Sequence, residues 1–107
     1  MPASDAFPKT LDISVTKADI RKGTPRNCIL CPVAQAIHRA LQKWNPKRTV
    51  YARVYDEHIE VQQYGLGMRH VEFTPPIAKF VKAFDSERSK KRTALVPFTT
   101  TITLEEL

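Results

Sequence analysis

Two cysteines and a histidine around the start of a predicted helix are the residues best suited to chemistry. The motif Cys28-x-x-Cys31-Pro32 places a thiol at a helix N-terminus, where free N–H groups and the helix dipole stabilise thiolate, and Arg26 would act in the same direction. A zinc site would combine Cys28, Cys31 and His38, whose C-x2-C-x6-H spacing lacks the paired spacing of a zinc finger. Three interpretations stay open: a redox thiol pair, a zinc site, and a structural N-cap at Cys31, which is favoured.

A second pattern combines aromatic and basic side chains on a predicted hairpin. Tyr51, Tyr55 and Tyr64 are the three tyrosines of the chain, and strand alternation places them with Arg53 on the sheet face away from the helices. Such faces stack bases in RNA-binding and single-strand-binding proteins, at about 1–3 kcal/mol for each stacked base. The competing interpretation is ordinary cross-strand pairing of Tyr with Arg and Glu on a solvent face. No RNP-type aromatic motif is present.

Basic residues are concentrated in the first half of the chain. The 107 residues carry a net charge of +6, of which residues 1–53 contribute +7 and residues 54–107 contribute −1. Such a local excess attracts an acidic partner, either nucleic acid or an acidic protein surface, unless it is only a solvated face. Arg39 and Lys43 are predicted to lie at the centre of the partner-binding surface. Its full set is Arg21, Lys22, Arg26, Arg39, Lys43, Lys47, Arg48, Tyr51, Arg53, Tyr55 and Tyr64.

The chain contains no recognisable catalytic motif. P-loop, GxSxG and HExxH patterns are absent, and the acidic residues Asp56, Glu57 and Glu60 cluster in a turn where solvation explains them. The sequence therefore predicts a non-enzymatic protein that needs no cofactor.

The central predicted helix positions most of these residues. Cys31 is the expected N-cap, Pro32 suits the first helical position, and Asn45 with Pro46 ends the helix. Apolar residues including Ile37 and Leu41 form one stripe. The opposite side carries Gln35, Arg39, Gln42 and Lys43, and is the predicted docking surface.

The other elements follow from periodicity and turn residues. A capping box at Thr16 and Asp19 predicts one short helical turn, and Gly65 and Gly67 predict a turn between strands. Strands are predicted over 11–15, 50–54, 59–64, 68–73 (as an edge strand) and 94–104, with a second core helix from 75 and a mobile loop over 86–92.

This order of elements predicts an α+β fold. Apart from the extra strand it is βαββαβ, which is typical of ferredoxin-like sandwiches with an antiparallel sheet of four to five strands and two helices on one face. The alternative is another small α+β arrangement with a different strand order. Residues 1–10 are predicted to be a flexible N-terminal tail and 11–107 a single domain. Without an apolar span or signal peptide in the sequence, we expect a cytoplasmic protein.

Four short stretches carry a family resemblance. The segments VTKADIRKG, CPVAQAI, FVKAF followed by Asp85, and VPF resemble, in this order and from Ile13 to Leu104, a group of small proteins encoded by bacteriophages and integrated elements. In that group the cysteine before Pro recurs, and Cys28 has no counterpart. The resemblance brings no activity. It implies an accessory protein in the host-cell cytoplasm that binds nucleic acid or a host defence complex, in the style of anti-CRISPR inhibitors.

The leading hypothesis is a non-enzymatic phage or mobile-element accessory protein that inhibits or modulates an acidic partner. The net charge of +6 excludes the DNA-mimic mode that many such inhibitors use. A second hypothesis is a thiol-redox or zinc-binding protein centred on Cys28 and Cys31. A third is a homodimeric structural or interaction module whose tyrosine face is the interface.

Overall fold

A computed structural model describes residues 7–24, 27–55, 57–86 and 95–106. Within these ranges the chain forms three helices and six strands, and the predicted α+β class is confirmed. The elements are β1 (Thr10–Val15), α1 (Lys17–Lys22), α2 (Pro32–Trp44), β2 (Val50–Val54), β3 (His58–Gln63), β4 (Gly67–Glu72), α3 (Pro75–Ser86), β5 (Phe98–Thr103) and β6 (Glu105–Glu106).

The strands form two antiparallel sheets. β1 pairs with β5, with Thr10 opposite Thr103 and Val15 opposite Phe98. The other sheet has the order β2-β3-β4-β6, in which β6 adds only two residues, so β4 is not the edge strand that its weak alternation predicts. The predicted single sheet in ferredoxin-like order is not confirmed. The first strand pairs with the last long strand, and neither joins the hairpin, while α2 packs against both β1 and β2.

Local capping fixes the starts of the first two helices as predicted. The Thr16 hydroxyl accepts a hydrogen bond from the Asp19 N–H, and the Asp19 carboxylate accepts one from the Thr16 N–H, which completes the capping box of α1. Cys31 is the N-cap of α2, since its Sγ accepts from the Ala34 N–H at 3.4 Å, and Pro32 occupies the first helical position.

The core is built from the apolar faces of α2, α3 and both sheets. Ile37 and Leu41 of α2 are fully buried, which confirms the apolar stripe. On α3, Phe80 stacks on Phe84 with ring centroids 5.7 Å apart and packs against Phe98 of β5 at 5.1 Å. Each such large side chain contributes roughly 1.5–3 kcal/mol by burial. Within this core, α2 packs against β2, the first strand of the hairpin.

Residues of the predicted N-terminal tail, 1–10, make contacts with the rest of the domain. Phe7 packs against the core, with the Arg69 guanidinium 4.7 Å from its ring centroid, and the Lys9 carbonyl accepts a hydrogen bond from the Leu104 N–H. The rest of the predicted tail, 1–6, and most of the predicted loop over 86–92 lie outside the described residues. In the part of the chain that is described, no helix is long and apolar enough to cross a membrane.

Candidate functional site

A groove of about 580 Å³ lies between α2 and the outer edge of β2. Its lining comes from the end of α1, the loop before α2, one side of α2 and β2. We call it the α2–β2 groove. Among its lining residues are Lys22, Ile29, Leu30, His38, Arg39, Tyr51 and Arg53.

The α2–β2 groove combines positive charge with exposed apolar surface. Lys22, Arg39 and Arg53 line it, and none of the Asp and Glu residues that the structure describes does. Six large apolar or aromatic side chains are exposed among the described residues, and three of them are in this groove. These are Ile29 at 56%, Leu30 at 50% and Tyr51 at 49% exposure. Exposed apolar groups gathered in one concave surface are typical of interaction sites.

Arg39, the predicted centre of the docking surface, is used to hold the fold together. Its guanidinium donates two hydrogen bonds of 2.8 Å to the Asp19 carboxylate and one of 2.8 Å to the Ser14 carbonyl. Because Asp19 is buried and balances the charge, Arg39 is not a free cation in the groove. The ion pair instead ties α1 to α2, and this places Lys22 at the groove.

The Asp19 carboxylate is ionised in this pair. Burial alone would raise its pKa, but hydrogen bonds from Arg39 and from the Thr16 backbone, together with the nearby positive charge, lower the pKa of Asp19 below its ordinary value. The same hydrogen bond raises the pKa of Arg39. The contact between α1 and α2 is therefore a charged pair at neutral pH.

The rest of the predicted polar face of α2 also contacts its own chain. Gln35 donates to the Leu30 carbonyl at 2.8 Å, and Gln42 donates to the Arg48 carbonyl at 3.0 Å. Lys43 is exposed but does not line the groove. Two of the four side chains on the predicted docking surface thus bind nearby backbone and a third binds Asp19, while the docking role of this surface stays a prediction.

The other predicted basic residues are dispersed. Arg48 donates to the Tyr64 carbonyl at 2.9 Å and lies against Gly65, whose φ of +84° belongs to the turn after β3. Arg21 and Lys47 are exposed and are not among the lining residues of the groove. Arg26 lies outside the described residues. Of the predicted set, the structure brings together Lys22, Arg39, Tyr51 and Arg53.

The side of the four-stranded sheet that carries Tyr51, Arg53 and Tyr55 is called here the open face. Its aromatic groups stack on each other: Tyr55 lies on His58 with ring centroids 4.8 Å apart, and His58 lies on His70 at 5.3 Å. Tyr64 is 74% exposed but belongs to the turn after β3, so it is not part of this stack. The placement of Tyr64 on the same face as the other two tyrosines stays a prediction.

Acidic residues dominate the charge of the open face. Glu60 lies opposite Arg53 and 3.3 Å from the His58 ring nitrogen, Glu72 lies opposite His58, and Glu105 lies opposite His70. Glu72 and Glu105 follow the same alternation and are exposed. Three carboxylates against one Arg make this face unfavourable for nucleic-acid phosphate.

The two cysteines lie in a different cavity from His38. This cavity, of about 620 Å³, is lined by Cys28 and Cys31 together with apolar residues that include Phe80 and Phe84. Neither cysteine forms a disulfide, and Cys31 is buried as the N-cap of α2. His38 lines the α2–β2 groove instead. Among the described residues no three His, Cys, Asp or Glu side chains are placed to hold a metal ion, so the geometry does not support the alternative zinc set.

Fold and groove together define a small α+β protein with a cationic, partly apolar groove. Comparisons of the chain with protein-family models, with curated proteins and with solved structures find no match.

Two groove residues, Ile29 and Leu30, are missing from the predicted binding set. Their signal in the sequence is a pair of large apolar residues placed just before the N-cap Cys31. Such a pair is outside the helical stripe, so periodicity assigns it to neither a helix face nor a strand. The Asn27 side chain shapes this segment by accepting hydrogen bonds from both backbone N–H groups, at 3.0 and 2.9 Å.

Proposed function

We propose that the protein is a non-catalytic binding protein that takes an acidic partner into the α2–β2 groove. The observation that supports this most directly is the composition of the groove, in which every charged lining residue among those described is basic. Lys22 and Arg53, two basic residues of the first half of the chain, focus positive charge on this concave surface. Such focusing raises the local concentration of an anionic partner and its association rate.

Lys22 and Arg53 are the charges we assign to partner binding. Lys22 is the last residue of α1, and Arg53 is on β2, so the two come from different elements that line the groove. Among the described residues neither is in a salt bridge, whereas Arg39 is paired with Asp19. Arg53 also lies 5.9 Å from the ring centroid of Tyr51, which orients both side chains.

The resemblance to phage and mobile-element proteins supplies a setting for this proposal. In that setting the partner is nucleic acid or an acidic surface of a host complex that handles nucleic acid, and binding inhibits or modulates that complex. The acidic partner and the groove are the parts of the proposal that purified protein can test.

Fluorescence anisotropy with three labelled probes tests the proposal. The probes are random-sequence single-stranded DNA, random-sequence RNA and a capped peptide in which glutamate alternates with valine. We expect at least one probe to bind at low salt and to lose affinity steeply as salt is added. Binding of nucleic acid releases counterions, and added salt screens the attraction between the groove and any acidic probe. No binding of any probe at low salt would overturn the proposed function.

A further inference from the structure

The hydrogen-bond register of the hairpin fixes which backbone groups of β2 point outward. The Tyr64 N–H donates to the Thr49 carbonyl, and the Tyr55 N–H donates to the His58 carbonyl, so Thr49 and Tyr55 point toward β3. In an antiparallel pair the direction alternates with each residue. The N–H and C=O groups of Val50, Ala52 and Val54 therefore point away from β3, to the outer edge.

One end of this edge is closed by the chain itself. The Val54 N–H donates to the Cys28 carbonyl at 2.7 Å, which also confirms the outward direction. For Ala52, no hydrogen bond to its outward N–H or C=O is present among the described residues. Ala52 lines the α2–β2 groove and is only 4% exposed. A buried backbone group without a partner costs about 1–3 kcal/mol, so this pair of groups favours a ligand that would satisfy both.

We propose that the partner of the α2–β2 groove is an extended acidic peptide segment of another protein, which adds to the outer edge of β2 as a fifth strand. This inference rests on the proposed function and specifies its partner. Strand addition uses the peptide backbone to supply one acceptor for the Ala52 N–H and one donor for the Ala52 C=O. Side chains of the peptide then select the sequence.

The groove sets a pattern for the bound peptide. Successive side chains of an added strand point to opposite sides of the sheet. On one side they would meet Tyr51 and Arg53, which suit a carboxylate. On the other side they would meet residues of α2 and the loop before it, where Ile29 and Leu30 expose apolar surface and Lys22 adds a positive charge. The expected peptide therefore alternates acidic and apolar residues.

A peptide fits these observations better than nucleic acid does. A phosphate backbone can accept a hydrogen bond from the Ala52 N–H, but its oxygens repel the outward carbonyl, which needs a donor. The carboxylates of the open face, on the other side of β2 from the core, also repel a long polyanion. A short peptide carries few charges, and its acidic side chains on one side of the added strand would meet Arg53.

Two N-methylated versions of the glutamate–valine peptide test strand addition. One version carries N-methyl groups on the glutamates and the other on the valines, and neither modification changes the charge. In an added strand, only one of these two sets of N–H groups faces β2. We expect one version to bind about tenfold more weakly and the other to bind within about twofold of the parent peptide. Equal effects of the two versions would overturn strand addition while leaving the acidic partner intact.

Hydrogen exchange gives an independent readout on the protein. The parent peptide should slow exchange of the Ala52 amide about tenfold or more and leave that of Arg53, which already bonds to β3, unchanged. Unchanged Ala52 exchange with saturating peptide would contradict the inference. Binding of DNA or RNA without binding of the peptide would also overturn it, yet keep the proposed function. Failure of all three probes would remove the proposed function itself.

Discussion

The α2–β2 groove and the open face share strand β2, yet they differ in how many of their aromatic, apolar and charged groups have partners within the protein. On the open face Tyr55 is stacked on His58, and the His58 ring nitrogen lies 3.3 Å from the Glu60 carboxylate. At the groove, Ile29 and Leu30 are exposed, and the outward backbone groups of Ala52 have no hydrogen-bond partner among the described residues. The supply of internal partners, and not residue type, therefore distinguishes the self-paired surface from the proposed binding surface.

The comparison extends to charge. Among the described residues, three carboxylates lie on the open face and none lines the groove. Arg53 belongs to both regions, because its strand position puts it on the open face while its side chain lines the groove. The overall charge of +6 thus conceals two neighbouring surfaces of opposite character.

The largest effect is expected from reversing the two groove charges that no salt bridge uses. The double variant Lys22→Glu/Arg53→Glu should bind the acidic probes about 100-fold more weakly at low salt, because attraction becomes repulsion at two positions. Anisotropy titration measures this loss, and circular dichroism checks the fold. Lys43→Glu/Lys47→Glu changes the net charge equally outside the groove and should alter affinity less than about threefold. An equal loss in both variants would mean that net charge, and not the groove, governs binding.

The ion pair behind the groove should have the next largest effect, measured as stability. Asp19→Asn removes the charge that holds Arg39 and weakens the capping box of α1, and should lower the free energy of unfolding by about 2 kcal/mol. Chemical denaturation of the purified protein measures this change. Asp12→Asn is the matched control, since Asp12 is exposed and bonds only to the Thr101 hydroxyl among described partners. That control should change stability by less than about 0.5 kcal/mol.

The same pair predicts a pH dependence with a definite sign. The pKa of Asp19 is lower in the folded protein than its ordinary value near 4. The ionised carboxylate therefore contributes its full share of the free energy of unfolding at pH values above that ordinary value. The contribution is lost as pH falls through the lower folded pKa. Wild-type protein should therefore lose more stability between neutral and acidic pH than Asp19→Asn does. If the two proteins lose equal stability as the pH falls, the charge of Asp19 contributes nothing to the free energy of unfolding.

Local rules made several elements predictable from the sequence. The capping box at Thr16, the Cys31 N-cap with Pro32, and the glycine turn at Gly65 each depend on a few neighbouring residues, and each occurs as expected. Sheet order was not predictable in this way. The alternation of Leu11, Ile13 and Val15 is the same whichever strand lies beside it, so the pattern cannot indicate that β1 leaves the hairpin and pairs with β5.

The candidate site was predictable only in part for the same reason. The basic excess drew attention to Lys22 and Arg53, which line the groove and whose role in binding stays a prediction. It could not show that Arg39 would bind Asp19 on another helix, because helical periodicity describes one helix and not its neighbour. Nor could it show which strand of the hairpin would have no neighbouring strand at its outer edge among the described residues. That depends on the sheet order, the least local feature of the fold.

A matched pair of tyrosines separates the two regions at the level of one side chain. Tyr51 lines the groove, whereas Tyr55 lies outside it and stacks on His58. Tyr51→Ala should weaken binding of the glutamate–valine peptide about fivefold, since a large contact surface is lost, and Tyr55→Ala should change it less than about twofold. Anisotropy titrations of both variants under one salt condition provide the measurement. The opposite order would place the partner on the open face.

The smallest expected effect comes from removing the acidic charge of the open face. In the triple variant Glu60→Gln/Glu72→Gln/Glu105→Gln, every carboxylate that we assign to that face becomes neutral while side-chain shape is kept. If the groove is the binding site, affinity for the glutamate–valine peptide should rise by less than about threefold, because screening by salt weakens charges outside the contact. Titration with the DNA and RNA probes uses the same variant. A gain of about tenfold or more for nucleic acid would mean that the stacked aromatic groups are the true binding surface and that their carboxylates restrain it.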